Sequence, residues 1–175
     1  MSLEKFFIKP GIVAFRESET LLCAVLTYGV AVFVFDKVQK KGGLNFYLYP
    51  NSRLPVNKTP LFAMPSTLKL LQLFLNNGCE RKNLEAHIFG GAYLSEEEDK
   101  MKMIAKENVR IANRVLEHND VVIKSQDVGG LVGRKLIFNT LTGESIIAKV
   151  NKLREKDWSL EYVFEENPNN DISIF

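Results

Sequence analysis

The stretch Leu21–Pro50, LLCAVLTYGVAVFVFDKVQKKGGLNFYLYP, decides how this chain folds. An apolar, strand-like run opens it, and the small-residue break Tyr28-Gly29 interrupts it. The second run, Val30 to Phe35, is β-branched, aromatic and almost continuously apolar, the mark of a strand or core segment covered on both faces. Asp36 ends that run, the basic stretch Lys37–Lys41 with Gly42-Gly43 makes a hairpin-like connection, and a third strand over Leu44–Tyr49 closes at Pro50. A break of this kind between strands is a common seat for a reactive group. Here it holds a glycine.

On the N-terminal side, Ile12–Arg16 reads as a strand and Arg16-Glu17-Ser18-Glu19 as a polar turn. On the C-terminal side, Pro55, Pro60 and Pro65 space a loop that runs to Ser66, an apt helix N-cap. Leu68, Leu70, Leu71, Phe74 and Leu75 form one wide apolar helical face, ended by Asn77-Gly78. Leu84–Phe89 is a strand leading into Gly90-Gly91. Ser95 with Glu98 forms a capping box, and Ile104, Ile111 and Val115 with their apolar neighbours mark a second helix that ends near His118. Strands over Val121–Ile123, Leu136–Phe138, Ile146–Val150 and Trp158–Phe164 follow, with a polar tail after residue 166. Many strands with two helices inserted midway define an α+β domain, not a doubly wound parallel sheet.

At 175 residues the chain suits one domain, residues 1–166, with 167–175 as its tail. A domain of that size buries roughly 70% of the surface its unfolded form exposes. Lys plus Arg total 23 against 21 Asp plus Glu, and they are scattered, so there is no electrostatic footprint for nucleic acid or an anionic membrane. No stretch approaches the ~20 apolar residues of a membrane span. Two cysteines, both in apolar surroundings, are too few for a disulfide framework, and a reducing, cytoplasmic setting is expected.

Few residues invite chemistry. Cys23, among Leu21, Leu22, Ala24 and Val25, lacks the base or positive neighbour that would make a thiolate, and reads as a buried structural thiol; Cys79 reads likewise. His87 lies in a strand and His118 at a helix end, neither in a metal-ligand spacing, so no metal or cofactor is expected. Gly129-Gly130-Leu131-Val132-Gly133-Arg134 lacks the Lys-Ser/Thr of a phosphate loop and reads as a tight connection between strands. Glu96-Glu97-Glu98-Asp99 reads as a solvated first helical turn.

The order of short motifs nevertheless resembles the chemoreceptor glutamine deamidase family, CheD, from about Pro10 to Val150. The matching pieces are Val30-Ala31-Val32 with Asp36, Gly42-Gly43-Leu44-Asn45 with Leu48 and Pro50, and Glu85-Ala86-His87-Ile88-Phe89-Gly90-Gly91-Ala92. Ile104 with Asn108, Asp127-Val128-Gly129-Gly130, Gly133-Arg134 and Thr142-Gly143 follow in order. The resemblance implies an α/β/β sandwich with two main helices, similar to the cytotoxic necrotizing factor deamidase domain. It also implies a Cys nucleophile, a His base and a supporting Thr that convert a receptor glutamine to glutamate through a thioester.

In register with those motifs, the nucleophile position is Gly29, the base position Phe46 and the supporting-Thr position Cys23. Glycine has no nucleophile and phenylalanine moves no proton, so the resemblance implies a CheD-like protein without its catalytic pair. The expected role is binding, to chemoreceptor cytoplasmic helices, a CheC-type phosphatase, or both. The alternative is a deamidase that uses Cys23 as a relocated nucleophile.

Overall fold

The strand Val30–Asp36 (β4) is buried along its whole length, and its alternation splits the molecule into layers. Val30, Val32 and Val34 face a core shared with both helices, whereas Ala31, Phe33 and Phe35 face a second core shared with another sheet. Successive strand residues point to opposite sides, so a strand apolar at each position from Val30 to Phe35 must be covered on both. In this computed structural model, which describes residues 3–51, 59–93, 99–151 and 171–174, β4 is that strand.

Four strands precede or follow it in the first half of the chain: Glu4–Phe7 (β1), Val13–Arg16 (β2), Thr20–Leu26 (β3) and Lys41–Tyr47 (β5). Helix α1 spans Ala63–Asn76, a short 3₁₀ turn covers Arg81–Asn83, and Leu84–Gly90 is β6. Helix α2, Asp99–His118, leads to Val122–Val128 (β7), Gly133–Asn139 (β8), Ser145–Val150 (β9) and Asp171–Ile174 (β10). One sheet has the order β1-β3-β8-β9-β10 and the other β2-β5-β4-β6-β7. The helices cover the free face of the second sheet, which gives the expected α/β/β sandwich.

Phe33 ties the layers together: its ring stacks on Phe138 of the facing sheet at 3.5 Å between centroids and on His87 of β6 at 4.6 Å. Pairs of this kind contribute about 0.5–1.5 kcal/mol beyond the area they bury.

Several expectations need correction. Gly42 and Gly43 lie inside β5, not in a connection; the turn is Lys37–Lys40, closed by Val38 and Gln39 N–H groups donating to Asp36 Oδ1 at 2.8 and 2.9 Å. The glycines are needed because a Cβ on Gly42 would stand 2.6 Å from Thr140 Cα and one on Gly43 2.8 Å from the Ala14 carbonyl. Ser66 is no cap: α1 starts three residues earlier, with Phe62 in the N-cap position, and Ser66 is fully buried. α2 is described from Asp99, and its buried face is Ala105, Asn108, Ile111, Ala112, Val115 and Leu116, with Ile104 only partly covered.

The strand read at Val121–Ile123 runs to Val128 and pairs parallel with β6. Asp171–Ile174, read as tail, pairs antiparallel with β9. Pro55, the Ser95–Glu98 capping box and the Trp158–Phe164 strand lie outside the described residues.

Candidate functional site

The break between β3 and β4 is pinned from two sides. Ala92 N–H donates to the Thr27 carbonyl and Gly91 N–H to that of Gly29, both at 2.9 Å. Asn108 of α2, fully buried, donates through Nδ2 to the carbonyls of Tyr28 at 3.3 Å and Leu48 at 2.8 Å, while its main-chain carbonyl accepts the Tyr47 hydroxyl at 2.9 Å. One side chain thus fastens the break, the end of β5 and the middle of a helix. Burial holds the Tyr47 hydroxyl well above the ordinary tyrosine range, so it stays a donor.

Gly29 and Phe46 meet at this corner. A Cβ on Gly29 would lie 2.7 Å from Phe46 Cε2, 2.8 Å from the Tyr47 carbonyl and 2.9 Å from Leu48 Cδ2. No side chain fits at 29 unless both the ring and the Tyr47 carbonyl withdraw. Phe46 is itself 2% exposed, packed in the inter-sheet core, with its backbone held by Ile12 and Gly11. Gly90, at φ +108°, completes the close approach, since a Cβ there would overlap the Gly29 carbonyl. At this contact there is neither a nucleophile nor a group that moves a proton.

Cys23 does not join the pair. Leu22, Ala24 and Leu26 of β3 face the inter-sheet core with Phe46, so alternation turns Cys23 to the other face of its sheet. It is 1% exposed, and its thiol lies 3.8 Å from the Leu21 carbonyl. Burial pushes its pKa up to about 11, with Lys5 only partly offsetting this, so the thiolate is scarce at neutral pH. Cys79, just after α1, is pushed up to about 12 by burial and by Asp36.

The other candidates have structural partners. His87 Nδ1 lies 2.5 Å from Ser125 Oγ, and His118 Nδ1 3.0 Å from the Arg114 carbonyl. The glycine-rich stretch is a tight link between β7 and β8, with Gly129 and Gly130 at φ +76° and +74°. Arg134 locks it, donating to Asp127 at 2.8 Å and to the carbonyls of Gly129 and Val132, with Lys149 3.6 Å from the same carboxylate. Among the described residues no group of three His, Cys, Asp or Glu could hold a metal, and no helix is long and apolar enough to cross a membrane.

Sequence reasoning missed a groove beside this corner. Tyr49, Pro50, Asn51, Phe62, Lys100, Met103 and Ile104 line a space of about 600 Å³. Tyr49 is 40% and Met103 71% exposed, an unusual position for large apolar groups. Tyr49 continues the strand end that packs on Gly29, and burial, with Tyr49 adding to it, raises the pKa of Tyr28. The available signal was Met103, which falls outside the apolar helical face.

An α/β/β sandwich with a glycine-lined, apolar corner between β3 and β4 defines the class of scaffold. The model of the family described as CheD chemotactic sensory transduction matches residues 50–149, and the chain belongs to that family. The match starts at Pro50, just past the stretch that contains Gly29 and Phe46. Relatives extend further. The chain is 31% identical over 147 residues, 84% of its length and 91% of the other's, to a probable chemoreceptor glutamine deamidase CheD of Trichlorobacter lovleyi. It is 29% identical over 150 residues to a protein named probable chemoreceptor glutamine deamidase CheD 2 of Geobacter sulfurreducens, covering 86% and 92%. A CheD of Methanococcus vannielii, similarly named, is 27% identical over 148 residues, covering 84% and 96%.

Proposed function

We propose that this chain is a cytoplasmic chemotaxis protein in which a single CheD-like domain works by binding and does not deamidate. Its ligands are chemoreceptor cytoplasmic helices, a CheC-type phosphatase, or both. One observation carries the reading: the positions that the family resemblance assigns to nucleophile and base, Gly29 and Phe46, are packed against each other with no ionisable side chain between them. Losing either group of a nucleophile–base unit costs several orders of magnitude in rate, and losing the second adds little more.

Binding outlives chemistry because recognition is spread over a surface. The groove at Tyr49, Phe62 and Met103 supports this, lying next to the corner and offering apolar anchors with Lys100 at the rim. Pull-down of receptor cytoplasmic fragments and of a CheC-type protein with the full chain is expected to retain at least one of them. Retention of neither removes the reading.

Mass spectrometry of the receptor fragments after incubation separates this from an active enzyme. No glutamine-to-glutamate conversion is expected; conversion that disappears in Cys23→Ser would establish Cys23 as the nucleophile instead. The thiol offers an independent check. Below its pKa of about 11 the native protein should react with iodoacetamide far more slowly than in urea. Equal rates at neutral pH would contradict the burial argued above.

A further inference from the structure

A second groove, of about 300 Å³, runs between α1 and the last turns of α2, lined by Met64, Leu68, Arg114, Val115, His118 and Asn119. Its two walls are ladders with one-turn spacing. Met64 and Leu68 stand four residues apart on α1 and are 47% and 42% exposed. Arg114 and His118 stand four residues apart on α2, on one face of that helix.

The charges on both walls have one sign. α1 contains no acidic residue, and Lys69 is its one charged side chain. On α2 the nearby acid is Glu117, which the helical turn of about 100° per residue carries to the far side of Arg114 from the groove. Arg114 makes no ion pair among the described residues: Glu107, the carboxylate that its charge reaches, is held by two bonds from Arg110. The ring of His118 uses Nδ1 on the Arg114 carbonyl, and its Nε2 has no partner among the described residues.

We propose that this groove seats an acidic amphipathic helix of a partner protein. Its apolar side chains at i and i+4 would lie on Met64, Leu68 and Val115, and a carboxylate would meet Arg114. One-turn ladders on both walls match the spacing of a helix laid in a groove. Arg114 on one wall, without an ion pair among the described residues, and no acid on the other wall select a carboxylate. A second copy of this chain fits poorly, because α1 has no acid and α2 presents Lys100, Lys102, Lys106, Arg110 and Arg114 among its acids. The proposal is independent of whether the Gly29 corner is catalytic.

The test is fluorescence anisotropy of the full chain with two labelled synthetic helices, one with leucines at i and i+4 flanked by glutamates, the other with lysines in their place. Saturable binding of the acidic helix is expected, weakening as salt rises. Arg114→Glu and Leu68→Glu, each checked for folding by circular dichroism, should weaken it by roughly tenfold or more, and Val38→Glu on the remote turn should leave it unchanged. Any of three results overturns the proposal: no saturable binding, equal affinity for the lysine helix, or binding that Arg114→Glu and Leu68→Glu leave intact. Sedimentation showing a dimer of this chain that Leu68→Glu dissociates overturns it too, by assigning the groove to self-association.

Discussion

Two corners of the molecule lean on the same glycine pair and differ in everything else. At one, Gly91 holds the Gly29 carbonyl, and the side chains that meet there are apolar. At the other, Gly90 accepts from Gly129, and Asp127, Arg134 and Lys149 form a largely buried charge cluster. The difference teaches which parts of a scaffold are constrained by folding. Backbone bonds and close approaches fix both loops. The first adds an uncharged fastener, the Asn108 amide, and closes around the Phe46 ring, whereas charged side chains gather only at the second, where Arg134 holds Asp127 and the loop carbonyls.

The comparison can be broken in several ways. The largest expected effect is Phe46→Ala, which empties the inter-sheet core at the first corner and should cost about 3–5 kcal/mol in urea unfolding. A loss below about 1 kcal/mol would mean that the ring does not support that corner. Arg134→Met should cost roughly 3 kcal/mol, because it leaves Asp127 buried with Lys149 as its remaining cation. A neutral result would show that the charge cluster does not support the second corner.

Gly29→Ala should cost about 1–3 kcal/mol by overpacking against Phe46 and the Tyr47 carbonyl. Measured in the Phe46→Ala background the cost should shrink without vanishing, since the carbonyl remains. Strict additivity would show that 29 and 46 are uncoupled.

The smallest effect concerns pH. Burial lowers the pKa of His87 below 6.5, the pull of Glu85 opposing and Lys124 reinforcing the shift. The folded state therefore binds fewer protons than the unfolded one as pH falls. Stability should be fully present above 6.5 and decline below it as pH drops through the folded-state value, by less than about 1.4 kcal/mol per pH unit. His87→Gln should flatten that slope, and an unchanged slope would assign the acid sensitivity elsewhere.

The layered fold was legible because β4 is apolar from Val30 through Phe35 and the two helical faces repeat with a 3.6-residue period. The edges of elements were not. Gly42-Gly43 reads as a turn by propensity, whereas the close approach of Thr140 and Ala14, far away in sequence, places both glycines in a strand. Ser66 looks like a cap until α1 is seen to begin at Ala63. At the candidate site, the register of motifs singled out Gly29 and Phe46, which meet in the structure, but it did not reveal that Cys23 points to the other face of its sheet. Nor did it reveal Asn108 as the fastener, because a single asparagine in a helix gives no sign of the three groups it joins. The grooves were invisible for a similar reason: exposure of Met103, Met64 and Leu68 is a property of packing between helices.

The burial of β4 on both faces has a kinetic consequence. With helices on one side, the other sheet on the second and paired strands along both edges, its amides meet solvent only when the layers part. Their deuterium uptake should therefore be the slowest in the chain and should track global unfolding, while the break at Thr27–Gly29, a few residues upstream, can exchange through local opening.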